Sequence, residues 1–137
     1  MALIHLDAGI LIGFLDADDA HHSAARTAIA EAIDRGDRLA MASSALAECL
    51  VAPARRGEEA IALVHELRQR LPIEIVPLDV DVATTAARLR AQHRSLRLPD
   101  ALVIATASVD AADQLVTTDP RWPTAKALHL TVTIRTL

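Results

Sequence analysis

Short apolar segments alternate with longer segments of helical periodicity along this chain, and that alternation most strongly limits its fold. The segments typical of strands are ALIHLD (2–7), LAMAS (39–43), IEIVP (73–77), QLVTTD (114–119) and LHLTVTI (128–134). Strands that alternate with helices favour a parallel sheet covered by helices. We therefore predict an α/β fold, a three-layer α/β/α sandwich with a mainly parallel five-stranded sheet. We expect residues 1–137 to form a single domain.

Helical periodicity is clearest at about 21–35, 44–56, 57–70, 80–94 and 100–112. A further short helix is expected directly after the first strand. Ser43 or Ser44 is predicted to cap the helix that follows the second strand, and Pro53 to end or kink it. Asp79 and Asp81 follow the third strand and are interpreted as caps of the next helix.

Composition excludes several classes of protein. The net charge of −4 is not that of a sequence-specific DNA-binding domain, which is usually basic. One Phe, one Trp and no Tyr argue against recognition of single strands by stacking on aromatic side chains. A lone cysteine, Cys49, permits no internal disulfide, and we interpret it as a small core residue. The N-terminus does not resemble a signal peptide and no apolar run is long enough to span a membrane, so we expect a cytoplasmic protein.

Four carboxylates are predicted to meet at one edge of the sheet. Asp7 ends the first strand, Asp119 ends the fourth, Glu48 follows the second, and Asp100 opens an apolar helix. Ligands of open α/β sheets bind beyond the carboxyl ends of the strands. Each acid also has an ordinary structural interpretation: Asp7 or Asp100 as a helix cap, Glu48 on a helix surface, Asp119 in a turn before Pro120.

Carboxylates gathered in one cleft repel each other and raise each other's pKa, and a divalent cation relieves that repulsion. Oxygen ligands without a Cys or His cluster suit Mg²⁺ or Mn²⁺. We expect Asp7 and Asp100 to bind such a metal directly, and Glu48 and Asp119 to bind it directly or through water. The adjacent pair His21-His22 is not interpreted as a metal site, because neighbouring residues at a helix start do not face each other.

The set of motifs resembles a PIN-domain nuclease, and specifically the toxins of VapBC-type toxin–antitoxin systems. The stretches that carry the resemblance are LDAGILIGFLDADDAHH, SSALAECLVAPARRG, IVPLDVDVATTAARLRA, LRLPDALVIATA and LVTTDPRW, in family order over nearly the whole chain. The resemblance implies that Asp7, Glu48, Asp100 and Asp119 are the acidic catalytic quartet and that the Thr117 hydroxyl supports the site. Two positions depart from the family pattern: Gly9 replaces a usual Ser or Thr, and Trp122 a common Phe.

The resemblance further implies a Mg²⁺- or Mn²⁺-dependent endoribonuclease that leaves a 5′-phosphate, a small antitoxin as partner, and a homodimer. Because the chain is acidic, contacts with RNA phosphates must be local. Arginines near the predicted edge are the candidates for them, namely Arg55, Arg56, Arg94, Arg97 and Arg121. Which RNA is cut, and whether one ion or two are bound, stay open.

Two other classes of protein are compatible with acids at strand ends. A phosphoacceptor signalling domain also binds Mg²⁺ there, but it needs paired acids after the first strand and a lysine near the end of the sheet. Here the first strand is followed directly by Asp7 alone, and the only lysine is Lys126. A non-catalytic PIN-fold binding module is the second alternative; loss of a quartet acid would favour it, and all four are present.

Overall fold

The structure, a computed structural model, describes all 137 residues. Eleven elements follow one another along the chain: β1 (Leu3–Leu6), α1 (Ala8–Leu15), α2 (His22–Asp34), β2 (Arg38–Ala42), α3 (Ser43–Arg56), α4 (Glu58–Arg70), β3 (Ile73–Val76), α5 (Val80–Gln92), α6 (Leu98–Val109), β4 (Gln114–Thr117) and β5 (Thr133–Thr136).

The five strands form one sheet in the order β3-β2-β1-β4-β5, and every pair is parallel. The predicted α/β/α fold is therefore confirmed. The chain builds the sheet outward from β1 to β3, then crosses back and adds β4 on the other side of β1. The order thus reverses between β1 and β4, and the crevice beyond the carboxyl ends of those two strands is where open α/β sheets bind ligands.

One cluster of 28 buried residues forms the core, and it is built almost entirely from Ala, Leu, Ile and Val. Helix α6 contributes most heavily, because most of its residues from Ala101 to Ala107 are buried. The central strands β1, β2 and β4 are each almost completely buried. This packing fixes the strand ends from which the candidate site is built. No helix combines the length and the apolar character needed to cross a membrane.

The fifth strand is present, but its predicted bounds, 128–134, were wrong. Residues 128–132 lie in turns and bends, with His129 at a φ of 55°, and the strand occupies only Thr133–Thr136. Leu128 and Val132 are nevertheless buried, which explains the apolar alternation that resembled a strand. Strand β5 can pair only along the four residues of β4, from Gln114 to Thr117.

Two details of α3 also differ from the prediction. Strand β2 runs directly into the helix, so Ala42 stands at the N-cap and neither serine caps it; the Ser44 hydroxyl is buried without a hydrogen-bond partner. Pro53 lies within the helix, which continues to Arg56 and ends at Gly57, where φ is 125°. In contrast, the predicted cap of α5 is confirmed, since Asp79 accepts a hydrogen bond of 2.9 Å from the Val82 N–H.

Candidate active site

Asp7 stands at the junction of β1 and α1, at the carboxyl edge of the sheet. As the N-cap of α1 it accepts a hydrogen bond of 2.8 Å from the Ala8 N–H through Oδ1. Its second oxygen, Oδ2, accepts a hydrogen bond of 2.8 Å from the Thr117 hydroxyl at the end of β4. Burial nevertheless raises the pKa of Asp7 above its ordinary value, and the two hydrogen bonds only partly oppose that shift. Asp7 is therefore both a helix cap and an interior carboxylate whose charge is poorly solvated.

Thr117 is the last residue of β4, and Asp119 lies in the loop that follows that strand. The Thr117 side chain is completely buried, and its hydroxyl also accepts a hydrogen bond of 3.1 Å from the Asp119 N–H. The Asp119 carboxylate is held by Arg121, whose Nε and Nη2 each lie 3.0 Å from one of its oxygens. That pairing lowers the pKa of Asp119. One hydroxyl thus links Asp7 to the loop that carries Asp119.

Glu48 and Asp100 lie at the same edge of the sheet, each near the start of a helix. Glu48 lies in the second turn of α3, which begins where β2 ends, and its side chain is exposed. Asp100 is the third residue of α6, whose N-cap position is taken by Arg97; the interpretation of Asp100 as an N-cap is therefore wrong. A helix that leads into a parallel strand starts at the carboxyl edge of the sheet, so α6 brings Asp100 there.

The four carboxylates influence one another electrostatically. Burial raises the pKa of Asp7, and the negative charges of Asp100 and Asp119 raise it further. Although part of the Glu48 side chain is exposed, the desolvation of its carboxyl by neighbouring atoms raises its pKa, and the charges of Asp7 and Asp100 add to that shift. Burial likewise raises the pKa of Asp100, followed by the charge of Asp119. All four predicted acids therefore share one electrostatic environment, in which repulsion and desolvation both disfavour the ionised forms of three of them.

The four acidic side chains do not form a complete metal site in this structure, because no three His, Cys, Asp or Glu groups stand close enough together to hold a metal ion. Both oxygens of Asp7 and both of Asp119 accept hydrogen bonds from the protein. The donor set still fits a hard divalent cation in chemistry, since every candidate ligand is a carboxylate oxygen. The fit requires the Asp119 carboxylate to leave Arg121 or to act through water.

Two of the five candidate arginines, Arg97 and Arg121, lie by the acids. The positive charge of Arg97 lowers the pKa of Glu48, Asp100 and Asp119, and Arg121 contacts Asp119 directly. In contrast, Arg55 and Arg56 lie in the last turn of α3, and Arg94 lies exposed before α6.

A small cavity of about 80 Å³ between the N-terminus of α6 and the loop after β4 is lined by Ser95, Leu96, Arg97, Asp100, Asp119, Arg121, Trp122 and Pro123. The indole N–H of Trp122 is buried and completes no hydrogen bond, yet its approach to Asp100 lowers the pKa of that carboxyl. The sequence indicated Trp122 only as a replacement for Phe, and nothing in its spacing pointed to Asp100.

Residues set aside on sequence grounds have ordinary local partners. His22 Nδ1 lies 2.7 Å from the Gly13 carbonyl oxygen, and His21 lies beside Asp19. Cys49 is buried, as predicted, and its thiol donates to the Ala8 carbonyl at 3.6 Å. Burial raises the pKa of the Cys49 thiol to about 12, so this group is not a nucleophile at neutral pH.

The chain is an open α/β protein with an all-parallel sheet, and its acids lie where the strand order reverses, which is where such sheets bind ligands. The family model described as "PIN domain" matches residues 4–128, so the chain belongs to the PIN domain family. A search by sequence against the curated proteins found no match.

Several solved structures share the fold. VapBC2 from Rickettsia felis, bound to a DNA fragment from its promoter, superimposes with a TM-score of 0.75 at 16% identity, covering 98% of each chain. VapC20 from Mycobacterium tuberculosis, a toxin that cleaves the sarcin–ricin loop, gives 0.70 at 17% identity over 95% of this chain and 98% of that one. VapBC-5 from the same organism gives 0.63 at 23% identity over 100% of both chains.

Proposed function

We propose that this protein is a metal-dependent endoribonuclease and the toxin of a toxin–antitoxin system. The observation that carries the proposal is the set of four carboxylates, from the end of β1, α3, α6 and the loop after β4, that share one edge of a PIN fold, where burial and the charges of neighbouring acids raise the pKa of Asp7, Glu48 and Asp100. Membership of the PIN family and the structural similarity to VapC20, a toxin that cleaves the sarcin–ricin loop, support the choice of RNA as substrate.

The cation that suits this site is Mg²⁺ or Mn²⁺; Asp7 and Asp100 would hold it, and Glu48 and Asp119 would bind it directly or through water. When bound, such an ion lowers the pKa of water, neutralises phosphate charge and stabilises the leaving oxygen. No histidine or lysine contacts the four acids, so no side chain other than these carboxylates is placed to act as a general base.

Neighbouring residues orient the carboxylates of Asp7 and Asp100. The Thr117 hydroxyl fixes the Asp7 carboxylate by a hydrogen bond to Oδ2, and the Ala8 N–H fixes Oδ1. The N-terminal end of α1 favours the ionised form of Asp7, because the helix dipole is positive there. Trp122 lines the small cavity together with Asp100 and approaches that carboxyl. The hydrogen bonds to Asp7 and the indole beside Asp100 thus favour the ionised forms that a cation would need, and they oppose the desolvation that raises the pKa of both groups.

Arg97 and Arg121 are the residues that contact RNA phosphates in this proposal. Both are exposed and both lie beside the acids, where a phosphodiester would approach the cation. Arg121 has a second role, because its guanidinium neutralises Asp119 before RNA binds. The planar guanidinium suits two-point contact with either a carboxylate or a phosphate.

The antitoxin partner is proposed to place an apolar helical segment in the groove between α1 and α3. A cavity of about 260 Å³ there is lined by Ile12, Leu15, Asp16, Cys49, Ala52, Pro53 and Arg56. Ile12 and Leu15 are exposed by 37% and 41%, which is unusual for two large apolar side chains on one helix. The groove adjoins the acids, because Cys49 follows Glu48. The neighbours that are solved as toxin–antitoxin complexes support this partner.

A substitution in the groove tests the partner. Leu15→Asp should abolish co-purification with a co-expressed antitoxin, while Leu63→Asp on α4, 65% exposed, should leave it intact. Equal binding by both variants would exclude the groove. Sedimentation of the purified chain tests the expected homodimer in the same preparation.

Cleavage of a pool of structured RNAs tests the enzymatic proposal. The purified protein should cut RNA with Mg²⁺ or Mn²⁺, leave 5′-phosphates, and be inactive with EDTA. Asp7→Asn and Asp100→Asn should fold, as judged by circular dichroism, yet lose cleavage. Asp34→Asn is the matched control, because Asp34 is an exposed carboxylate at the end of α2, toward the opposite edge of the sheet.

Two results would contradict the proposal. An inactive wild type would favour a non-catalytic PIN-fold binding module, whose remaining function should survive Asp7→Asn. Equal cleavage by wild type and both folded variants would identify the activity as a contaminant.

A further inference from the structure

Asp119 is the only one of the four acids that takes part in an ion pair, and its partner is Arg121. Oδ1 of Asp119 accepts hydrogen bonds from the Arg121 backbone N–H at 2.9 Å and from its Nε at 3.0 Å. Oδ2 accepts a third hydrogen bond from Nη2 at 3.0 Å. One residue thus occupies both oxygens of the carboxylate. A cation that binds Asp119 directly must therefore compete with Arg121.

The guanidinium of Arg121 is open to solvent. The Arg121 side chain is 80% exposed, that of Asp119 is 22% exposed, and the guanidinium makes no hydrogen bond to any other residue. Exposed ion pairs contribute little to stability, so this contact is easily exchanged for another of the same geometry. A phosphate offers that geometry, because its oxygens accept the same two parallel N–H bonds from a guanidinium as a carboxylate does.

The charge of Arg121 also acts on a second acid. Arg121 and Asp119 line the small cavity together with Asp100; burial raises the pKa of Asp100, and the charge of Arg121 is among the effects that oppose that rise. An anion that draws the guanidinium away leaves Asp119 without its positive partner and brings negative charge close to Asp100. A divalent cation would offset both changes. Binding of an anion and of a cation at this edge is therefore linked through Arg121.

We propose that the Asp119–Arg121 ion pair makes cation binding depend on the RNA phosphate. In the free chain Asp119 occupies the guanidinium in place of a phosphate; a phosphodiester displaces it, and the released carboxylate becomes available to Mg²⁺ or Mn²⁺. The inference rests on the proposed function and adds that the two ligands bind cooperatively. Such linkage is reciprocal, so each ligand strengthens the other by the same factor. That factor is about fivefold, since an exposed ion pair contributes up to about 1 kcal/mol and 1.4 kcal/mol is tenfold.

RNA binding in EDTA tests the competition for Arg121 with no cation present. A double-mutant cycle compares the wild type, Arg121→Gln, Asp119→Asn and the combined variant at constant salt. Asparagine keeps an oxygen that can accept from the Arg121 backbone N–H, so the local turn is retained. Arg121→Gln should weaken RNA binding about fivefold more in the Asp119→Asn background than in the wild type, because only there is the guanidinium free. Asp100→Asn, which removes an equal charge without touching Arg121, should be additive with Arg121→Gln.

Quenching of Trp122 fluorescence by Mn²⁺ tests the dependence of the cation on an anion. Trp122 is the only tryptophan, the chain has no tyrosine, and Trp122 lines the same cavity as Asp119 and Arg121. The Mn²⁺ affinity of the wild type should rise about fivefold when chloride is replaced by sulfate, a tetrahedral anion like phosphate, at equal ionic strength. Arg121→Gln should show no response to sulfate. Arg135→Gln should respond as the wild type does, because exposed Arg135 lies near Met1 and Asp113, at the start of β1.

Additivity of Arg121→Gln and Asp119→Asn in RNA binding would overturn the inference, as would a sulfate effect of equal size in the wild type and Arg121→Gln. Either result in a wild type that cuts RNA with Mn²⁺ would refute the role of the ion pair and leave the proposed nuclease standing. A wild type that binds neither RNA nor Mn²⁺ would overturn both.

Discussion

Replacing Thr117 by Val removes the one hydroxyl that joins two of the candidate ligands. Thr117 Oγ1 donates to Asp7 Oδ2 at 2.8 Å and accepts from the Asp119 N–H at 3.1 Å, and no part of the side chain is exposed. Valine has nearly the same shape as threonine, so it fills the buried space that the Thr117 side chain occupies. The variant thus isolates the two hydrogen bonds.

The expected loss of stability follows from the charge of Asp7. A hydrogen bond to a charged group contributes about 1.5–3 kcal/mol, so the free energy of unfolding of Thr117→Val should fall by about 2 kcal/mol at neutral pH. The Asp119 N–H also loses its partner, but Asp119 is partly exposed and water can replace it. Thr117→Ser, the control, keeps the hydroxyl and loses one methyl group, which costs about 1 kcal/mol at any pH.

The pH dependence separates the two variants. Burial raises the pKa of Asp7 above 3.8, so its contribution to stability is fully present below pH 3.8 and is lost as the pH rises through the folded-state pKa. The Thr117 hydrogen bond opposes that shift. Without it the folded-state pKa of Asp7 rises further, and the loss toward neutral pH becomes larger. Thr117→Val should therefore be most destabilised, relative to wild type, at neutral pH.

Urea unfolding followed by circular dichroism, at about pH 7 and at about pH 3.5, measures both effects. We expect a destabilisation of Thr117→Val that shrinks in acid and a destabilisation of Thr117→Ser that does not change with pH. A pH-independent effect of Thr117→Val, or one no larger than that of Thr117→Ser, would refute the coupling between Thr117 and the Asp7 carboxylate.

Three further predictions concern stability and reactivity. Burial lowers the pKa of His5 below 6.5 while Asp110, 2.7 Å away, raises it, so stability should be lost as the pH falls below 6.5. Asp110→Asn should steepen that loss in acid denaturation; an unchanged slope would contradict it. Asp79→Ala should cost about 1 kcal/mol in urea unfolding by removing the cap of α5, and an effect near zero would argue against that cap. Cys49 should resist a thiol reagent until the protein unfolds, because it is buried with a pKa of about 12; rapid labelling of the native protein would disprove this.

The sequence predicted those features of the fold that depend on local pattern. The alternation of strands and helices indicated the parallel sheet, and an Asp three residues before Val82 indicated the cap of α5. The bounds of the fifth strand were predicted wrongly, because the apolar residues of LHLTVTI alternate for two different reasons. Leu128 and Val132 are buried in a looped segment, and only the residues that can reach β4 form a strand. Local pattern does not distinguish a buried loop from a strand.

The candidate site was predictable as residue types and positions at strand ends, but not as contacts. The bond between Thr117 and Asp7 joins residues 110 apart in the chain, and that between His5 and Asp110 joins residues 105 apart. The bidentate contact of Arg121 with Asp119 is local, yet the sequence indicated only an arginine near the edge. Such contacts depend on how α1, α6 and β4 pack.

The location of a bound cation tests the central claim most directly. Crystals of the wild-type protein soaked in Mn²⁺ should be measured at a wavelength where manganese scatters anomalously. We expect an anomalous peak at the carboxyl edge of the sheet, within ligand distance of Asp7 and Asp100, with the Asp119 carboxylate turned away from Arg121 or joined to the ion through water. A peak elsewhere, such as beside His21, or no peak in a protein that cuts RNA, would contradict the four-carboxylate site.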